Sequence, residues 1–168
     1  MKKTLAVYAG TFDPLTNGHL WMINQGSRLF GKLIVAIGVN PKKKCMFSIE
    51  DRLVMLRESV KQFSNVEVAS FPNKLLIKYV QSVGAQFVLR GIRNQSDYEY
   101  ERGMRNVNGD IDSRIVTVFL MPPRDIAEVS SSMVKDLASS DGWKSIVKRY
   151  LPKPVFKKLK QVHRAQSR

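Results

Sequence analysis

A single cysteine, Cys45, stands in 168 residues. It rules out an intramolecular disulfide and a cysteine-rich zinc site. No apolar run approaches the roughly 20 residues needed to span a bilayer. The opening Met1-Lys2-Lys3 is basic, but the chain turns polar too soon afterwards for a signal peptide, so a cytoplasmic location and no membrane partner are expected. Acidic residues are scarce: 14 Asp and Glu against 28 Lys and Arg, a net charge of +14. Beyond Asp141 there is no acidic residue at all, and nine basic ones follow. Such a segment suits nucleic acid or an anionic membrane surface, and a solvated basic helix explains it equally well. What remains is ordinary, with 43% hydrophobic and 25% charged residues. The length fits one domain with a proper core.

Short apolar runs recur at Leu5–Tyr8, Leu33–Val39, Val66–Phe71, Phe87–Leu89 and Ile115–Met121. They do not alternate cleanly, which is how strands buried on both faces read. Helical patterns lie between them. The first carries apolar residues at Leu20, Ile23, Leu29 and Phe30. A second runs from a Ser48 N-cap to about Val60, a third from Leu75 to Val83, and a fourth from Asp97 to Asn108, closed by Gly109. Further helices are expected after Ser130-Ser131-Ser132, around Gly142–Tyr150 and over Pro152–Val162. Strand and helix in alternation predict a single doubly wound, Rossmann-like α/β domain over residues 1–159. It would have a five-stranded parallel sheet and C-terminal helices, with a basic tail over 160–168 in which His163 and Arg164 fray. Ligands of such sheets bind at the carboxyl ends of the strands, so the loops after each strand hold the information.

The loop after the first strand reads Gly10-Thr11-Phe12-Asp13-Pro14-Leu15-Thr16-Asn17-Gly18-His19. Strand, Gly/Pro/Asn/Asp turn, then helix is how α/β folds build anion sites, because the helix N-terminus offers backbone N–H groups and a positive dipole end. Thr11 adds a hydroxyl and His19 an imidazole in the first turn. After the second strand come Lys42-Lys43-Lys44, mobile point charges suited to phosphate. After the fourth come Arg90-Gly91-Ile92-Arg93 and Asp97-Tyr98-Glu99-Tyr100-Glu101. Two arginine forks can grip phosphate, and an Arg–Glu salt-bridge cluster is the plainer alternative. After the fifth, Val129-Ser130-Ser131-Ser132 places hydroxyls at a helix start. One serine is explained by capping and three suit a second phosphate site, with Lys135 supporting charge one turn on.

These five motifs, with Phe119-Leu120-Met121-Pro122 as a sixth, stand in this order from about residue 4 to 159 and resemble those of the bacterial phosphopantetheine adenylyltransferases, nucleotidyltransferases with a Thr-x-Gly-His signature. The resemblance implies transfer of AMP from ATP to 4′-phosphopantetheine, giving dephospho-coenzyme A and pyrophosphate. It implies that His19 stabilises the transition state and that Thr11, Lys43, Leu76 and Arg90 hold phosphopantetheine, with Asn108 nearby. Thr11, Phe12, His19, Gly91, Ile92, Arg93, Glu101 and the segment Ile126, Ala127, Glu128, Val129, Ser130, Ser131, Ser132 would line the ATP side. It further implies Mg²⁺ as cofactor without a protein metal cage, coenzyme A as feedback inhibitor, and a homohexamer. Cys45, Gly103, Arg105 and Ser139 depart from the family pattern, where proline, glutamine, alanine and arginine are expected.

The attacking phosphate is already charged, so no general base is required. A motif set rich in cations and donors, without a nucleophile–base pair, agrees with catalysis by positioning and charge stabilisation. Asp13 is assigned to turn chemistry. Two alternatives stay open: a relative acting on nicotinamide or nicotinate mononucleotide or a cytidylyltransferase, and a basic nucleic-acid-binding module. No aromatic-interleaved basic stretch favours the last.

Overall fold

The computed structural model describes residues 4–39, 44–71 and 74–166. Five strands, β1 (Leu5–Gly10), β2 (Lys32–Gly38), β3 (Val66–Phe71), β4 (Phe87–Gly91) and β5 (Val116–Leu120), alternate with helices α1 (Asn17–Leu29), α2 (Ile49–Val60), α3 (Leu76–Ser82) and α4 (Gln95–Ile111). Then follow α5 (Arg124–Ala127), α6 (Ser131–Ala138), α7 (Trp143–Val147) and α8 (Lys153–Gln166). All strand pairs are parallel and the order is β3-β2-β1-β4-β5. The chain winds outward from β1 to β3, then returns to lay β4 on the other side of β1. The switch point therefore falls between β1 and β4, where a crevice opens at the carboxyl ends.

The central strands are buried on both faces. Ala6, Tyr8, Leu33, Val35 and Ile37 enter the larger core with residues from α1, α2, α6, α7 and α8. Val7, Ala9, Ile34 and Ala36 enter the smaller one, against Val80 of α3. This accounts for the missing alternation in β1 and β2. The same expectation does not hold at the sheet edges: β3 is half-exposed along most of its length, and Val116 of β5 is 51% exposed.

Local signals set most helix ends. The Ser48 hydroxyl accepts from Asp51 N–H at 3.1 Å and starts α2. Asn65 Nδ2 donates to the carbonyls of Ser27 and Phe30 and so satisfies the end of α1. Gly109 does not close α4. It lacks the positive φ of a glycine cap and stays helical; the helix runs two residues further, to Ile111, and Asp112 is its C-cap. Asp112 is fastened from outside by Gln81 Nε2 at 2.8 Å and by Arg114, whose hydrogen bonds hold its carboxyl well below the usual range. The single turn α5 follows Pro123 and has no counterpart among the sequence-based expectations. Helix α8 continues past residue 159 because its inner face remains useful. Val155 and Leu159 are wholly buried, Lys158 pairs with Asp51 at 2.6 Å, and the His163 ring packs on Trp143 at 4.6 Å between centroids. His163 is thus part of a packed helix and not a frayed tail.

Gly26 is required where α1 crosses the sheet. A Cβ there would lie 2.8 Å from Leu89 Cδ2 and 2.9 Å from Leu33 Cδ2. Gly26→Ala should gain helix propensity yet lose on the order of 1–3 kcal/mol through overpacking, read as a lower denaturant midpoint.

Candidate active site

The parallel register places Tyr8 beside Leu89, so the residues that follow, Ala9 and Arg90, meet at the end of the switch-point crevice. Arg90 Nη1 donates to the Ala9 carbonyl at 2.9 Å. Beyond them the β1–α1 loop turns through Phe12, whose φ of 47° is rare for a bulky residue, and a cis Asp13–Pro14 peptide. Phe12 is buried, and its ring meets those of Tyr8 and His19 edge-on at 5.5 and 5.2 Å. It forms the floor beneath the histidine. Gly10 is tight against that floor, since a Cβ would come within 3.0 Å of the Phe12 ring.

Thr16, fully buried, is the N-cap of α1 and holds His19 from both sides. Its backbone N–H donates to His19 Nδ1 at 3.1 Å, and its hydroxyl lies 2.9 Å from the same nitrogen. His19 takes the place that Glu or Gln occupies in an ordinary capping box. Since Nδ1 accepts, the proton of the neutral ring sits on Nε2. Burial, aided by the nearby Arg93 charge, lowers the His19 pKa from 6.5 to about 4. The ring is therefore a neutral hydrogen-bond donor at physiological pH. Gly18 leaves room for this turn: a Cβ would approach the Val129 carbonyl to 3.3 Å.

The first-turn amides are less available than the sequence suggests. Asn17 N–H donates to the Tyr150 carbonyl at 2.8 Å and His19 N–H to Thr16 Oγ1. The C-terminal segment thus supports the helix start.

Opposite lie the two arginines of the β4–α4 loop, and both are paired. Arg90 Nε donates to Glu101 Oε2 at 2.8 Å and Nη2 to Glu101 Oε1, with Glu101 buried. Burial alone would lower the Arg90 pKa, but Glu101 outweighs it and the guanidinium is held above its usual value. Arg93 grips Asp97 through Nε and Nη2 at 2.7 and 3.1 Å, which lowers the Asp97 pKa. The salt-bridge alternative accordingly describes these side chains as they stand. Arg90 nevertheless spends three of its five donors, Ala9 included, and keeps two for a ligand. Burial raises the Tyr8 pKa against the pull of Arg90 and Arg93, so its hydroxyl stays protonated.

The α6 start closes the crevice. Ser130 Oγ caps the helix by accepting from Met133 N–H at 3.1 Å, and Ser131 Oγ donates to the Pro14 carbonyl at 2.8 Å. Ser132 is exposed. Lys135 does not face the serines: its Nζ lies 3.4 Å from Asp13 Oδ2. Asp13 in turn exceeds local turn chemistry, because its carboxylate accepts from Met46 and Phe47 N–H, both at 2.9 Å.

The result is a cavity of about 320 Å³ whose wall includes Gly10, His19, Arg90, Gly91, Arg93, Glu101, Ile126, Val129 and Ser130–Ser132. Tyr8, Ala9, Gly18, Met22, Asp97 and Pro122 complete the lining. Met22 could have been found from its helical spacing of three from His19, and Tyr8 from its place before Gly10. Thr11 opens instead onto a neighbouring cavity of about 240 Å³ with Cys45, Phe47, Ser48 and Arg52. Phe12, Ile92, Ala127 and Glu128 lie outside the main wall, as do Leu76, on the α3 side of the sheet, and Asn108, about 10 Å beyond Glu101 along α4. Lys43 lies outside the described residues. The carboxylates on the wall, Asp97 and Glu101, are both held by arginine. The described residues contain no group of three or more His, Cys, Asp and Glu placed to hold a metal ion.

A parallel sheet with its crevice at the switch point, a Thr-x-Gly-His helix start and an arginine-lined wall define a nucleotidyltransferase. The sequence model of the cytidylyltransferase-like family matches residues 7–137. At the level of structure, the nicotinic acid mononucleotide adenylyltransferase of Plasmodium falciparum superposes with a TM-score of 0.72 at 15% identity, covering 96% of each chain. A putative nicotinate-nucleotide adenylyltransferase from Vibrio parahaemolyticus gives 0.65 at 17%, covering 94% of this chain and 91% of its own. At these identities the likeness is one of fold. In sequence, the phosphopantetheine adenylyltransferase of Chromobacterium violaceum is 53% identical over 96% of this chain and 98% of its own. That of Lacticaseibacillus paracasei is 39% identical over 99% and 100%. The chain belongs to the phosphopantetheine adenylyltransferase family.

The lowered His19 pKa has a consequence for stability. Between pH 6.5 and about 4 the unfolded chain binds a proton that the folded chain refuses. The stability is whole above pH 6.5 and is lost as pH falls toward 4. Unfolding free energies measured from pH 8 to 4.5 should show wild type losing more than His19→Gln, by on the order of 1–2 kcal/mol for a ring partly open to the cavity.

Proposed function

We infer that the chain transfers AMP from ATP to 4′-phosphopantetheine, giving dephospho-coenzyme A and pyrophosphate, a step of coenzyme A biosynthesis. Family membership at 53% identity over nearly the whole of both chains supports the substrate pair. The observation that carries the chemistry is the neutral His19, fixed by Thr16 N–H with its proton on Nε2, on the wall of a crevice between two arginines and a serine-rich helix start.

The acceptor phosphate, with its second pKa near 6, is already an anion at pH 7 and attacks the α-phosphorus without a base. Charge grows on the α-phosphate oxygens, and His19 donates to them while contributing no formal charge of its own. Such preorganised donors act in the transition state and cost no reorganisation. ATP is assigned to the side of Thr11, Phe12, His19, Gly91, Ile92, Arg93, Glu101 and Ile126–Ser132, with Thr11 shared between the two substrates. The acceptor is assigned to the side of Thr11, Lys43, Leu76 and Arg90, where the smaller cavity adjoins. Mg²⁺ belongs to the same proposal: no cage of described carboxylates would hold it, so it would be held by the nucleotide phosphates and water and would supply charge neutralisation there. This fits a wall whose two carboxylates are engaged by arginines.

Self-association into a homohexamer and restraint by coenzyme A belong to the same proposal, as does a cytoplasmic location. Helix α4 favours self-association, since Tyr98, Tyr100, Met104 and Val107 are exposed along it and Glu101 is its only buried residue. No described helix is long and apolar enough to cross a membrane.

Pyrophosphate release with ATP and Mg²⁺ is expected with 4′-phosphopantetheine and not with nicotinamide mononucleotide or without acceptor. Release with the mononucleotide alone would move the substrate assignment. Silence with every acceptor, together with salt-sensitive RNA binding, would favour the basic-module reading. His19→Ala should lower kcat by roughly 10²–10³ while ATP binding persists.

A further inference from the structure

Asp13 carries a carboxylate that lines neither cavity and is 3% exposed, yet it fastens two loops and a helix. It belongs to the β1–α1 loop. Its Oδ2 accepts from Met46 N–H and its Oδ1 from Phe47 N–H, so both oxygens hold the segment that follows β2. Lys135 of α6 reaches Oδ2 with Nζ at 3.4 Å. A second buried charge of opposite sign repeats the connection. Arg52 of α2, 6% exposed, donates Nη1 to the Thr11 carbonyl at 2.9 Å and Nε to the Ser48 carbonyl at 3.3 Å.

These bonds join the two walls of the smaller cavity, Thr11 on one side and Cys45, Phe47 and Ser48 on the other. A carboxylate accepting two backbone N–H bonds makes charge-assisted contacts that a neutral amide cannot reproduce: asparagine offers one acceptor and turns an NH₂ toward the other N–H. Both backbone bonds of Asp13 go to the acceptor-side segment. The start of α6 on the ATP side has a fastening of its own besides Lys135, the Ser131 hydroxyl on the Pro14 carbonyl, and Arg93–Asp97 adds another across the crevice.

We propose that Asp13 is a positioning residue of the acceptor side: its carboxylate sets the distance between Thr11 and residues 45–48 and thereby the fit of the acceptor phosphate. The inference rests on the functional reading above, which places the acceptor beside Thr11. A carboxylate that only maintained the fold would act on the fraction of active enzyme, not on one substrate.

The test is steady-state kinetics of full-length wild type and Asp13→Asn with each substrate varied in turn, alongside hydrogen exchange at the amides of residues 44–47. In Asp13→Asn the KM for phosphopantetheine should rise roughly tenfold or more, the effect of losing one charge-assisted bond. The KM for ATP should stay within about twofold, and the 44–47 amides should exchange faster. Lys135→Met keeps both backbone bonds and guards against a variant that fails to fold. It should raise the acceptor KM by about two- to threefold, again leaving that for ATP unchanged. Equal changes in both KM values, or a loss confined to kcat and melting temperature, would overturn the inference while leaving the reaction assigned. Silence of wild type itself with phosphopantetheine would remove the functional reading and this inference with it.

Discussion

The two-sided pairing of β1 is the constraint on which the rest depends. Because β2 and β4 both pair with it in parallel, every connection leaving the three strands emerges at one end. The loop with His19, the segment 44–47 and the Arg90–Arg93 loop must therefore converge. Burial of both faces of β1 and β2 makes that convergence rigid, since a one-residue slip would exchange the two cores. The C-terminal helices then close the larger core and reach back to the site: the Tyr150 carbonyl takes the first amide of α1, and Ser131 takes the Pro14 carbonyl.

Within that frame the electrostatics are more balanced than a chain of net charge +14 suggests. Each arginine on the crevice wall meets a carboxylate, so the wall carries two paired cations and not two bare ones. Pairing keeps the guanidinium planes oriented and leaves some donors unspent, which suits recognition by direction more than by net charge. His19 follows the same economy. A histidinium would require a proton at Nδ1, where Thr16 N–H already points. The capping box thus sets the protonation state of the imidazole as well as the start of the helix.

Much of this was legible in advance. The alternation of apolar runs and helical stretches foretold one doubly wound parallel sheet. The Ser48 and Ser130 caps were visible as hydroxyls before apolar patterns. Gly10 through His19 and Arg90 through Arg93 named the two sides of the crevice. These signals are local: a strand, a cap or a strand–turn–helix site is written within about a dozen residues. The misreadings were also local rules outweighed by distant contacts. Gly109 looked like a stop until Asp112, held by Gln81 and Arg114, supplied one further on. His163 looked like tail until Trp143 offered a ring to pack on.

By itself, then, the sequence determined the kind of fold, the order of its elements and the residue types assembled at the crevice, because each follows from short-range periodicity and turn chemistry. Only the tertiary structure decided what those residues do to one another. That Arg90 commits two donors to Glu101, that Lys135 serves Asp13 and not the serines, and that Asp13 holds amides 33 and 34 residues away are pairings beyond local reach. Their partners are chosen by packing and burial, since a buried charge must find a partner wherever the fold brings one.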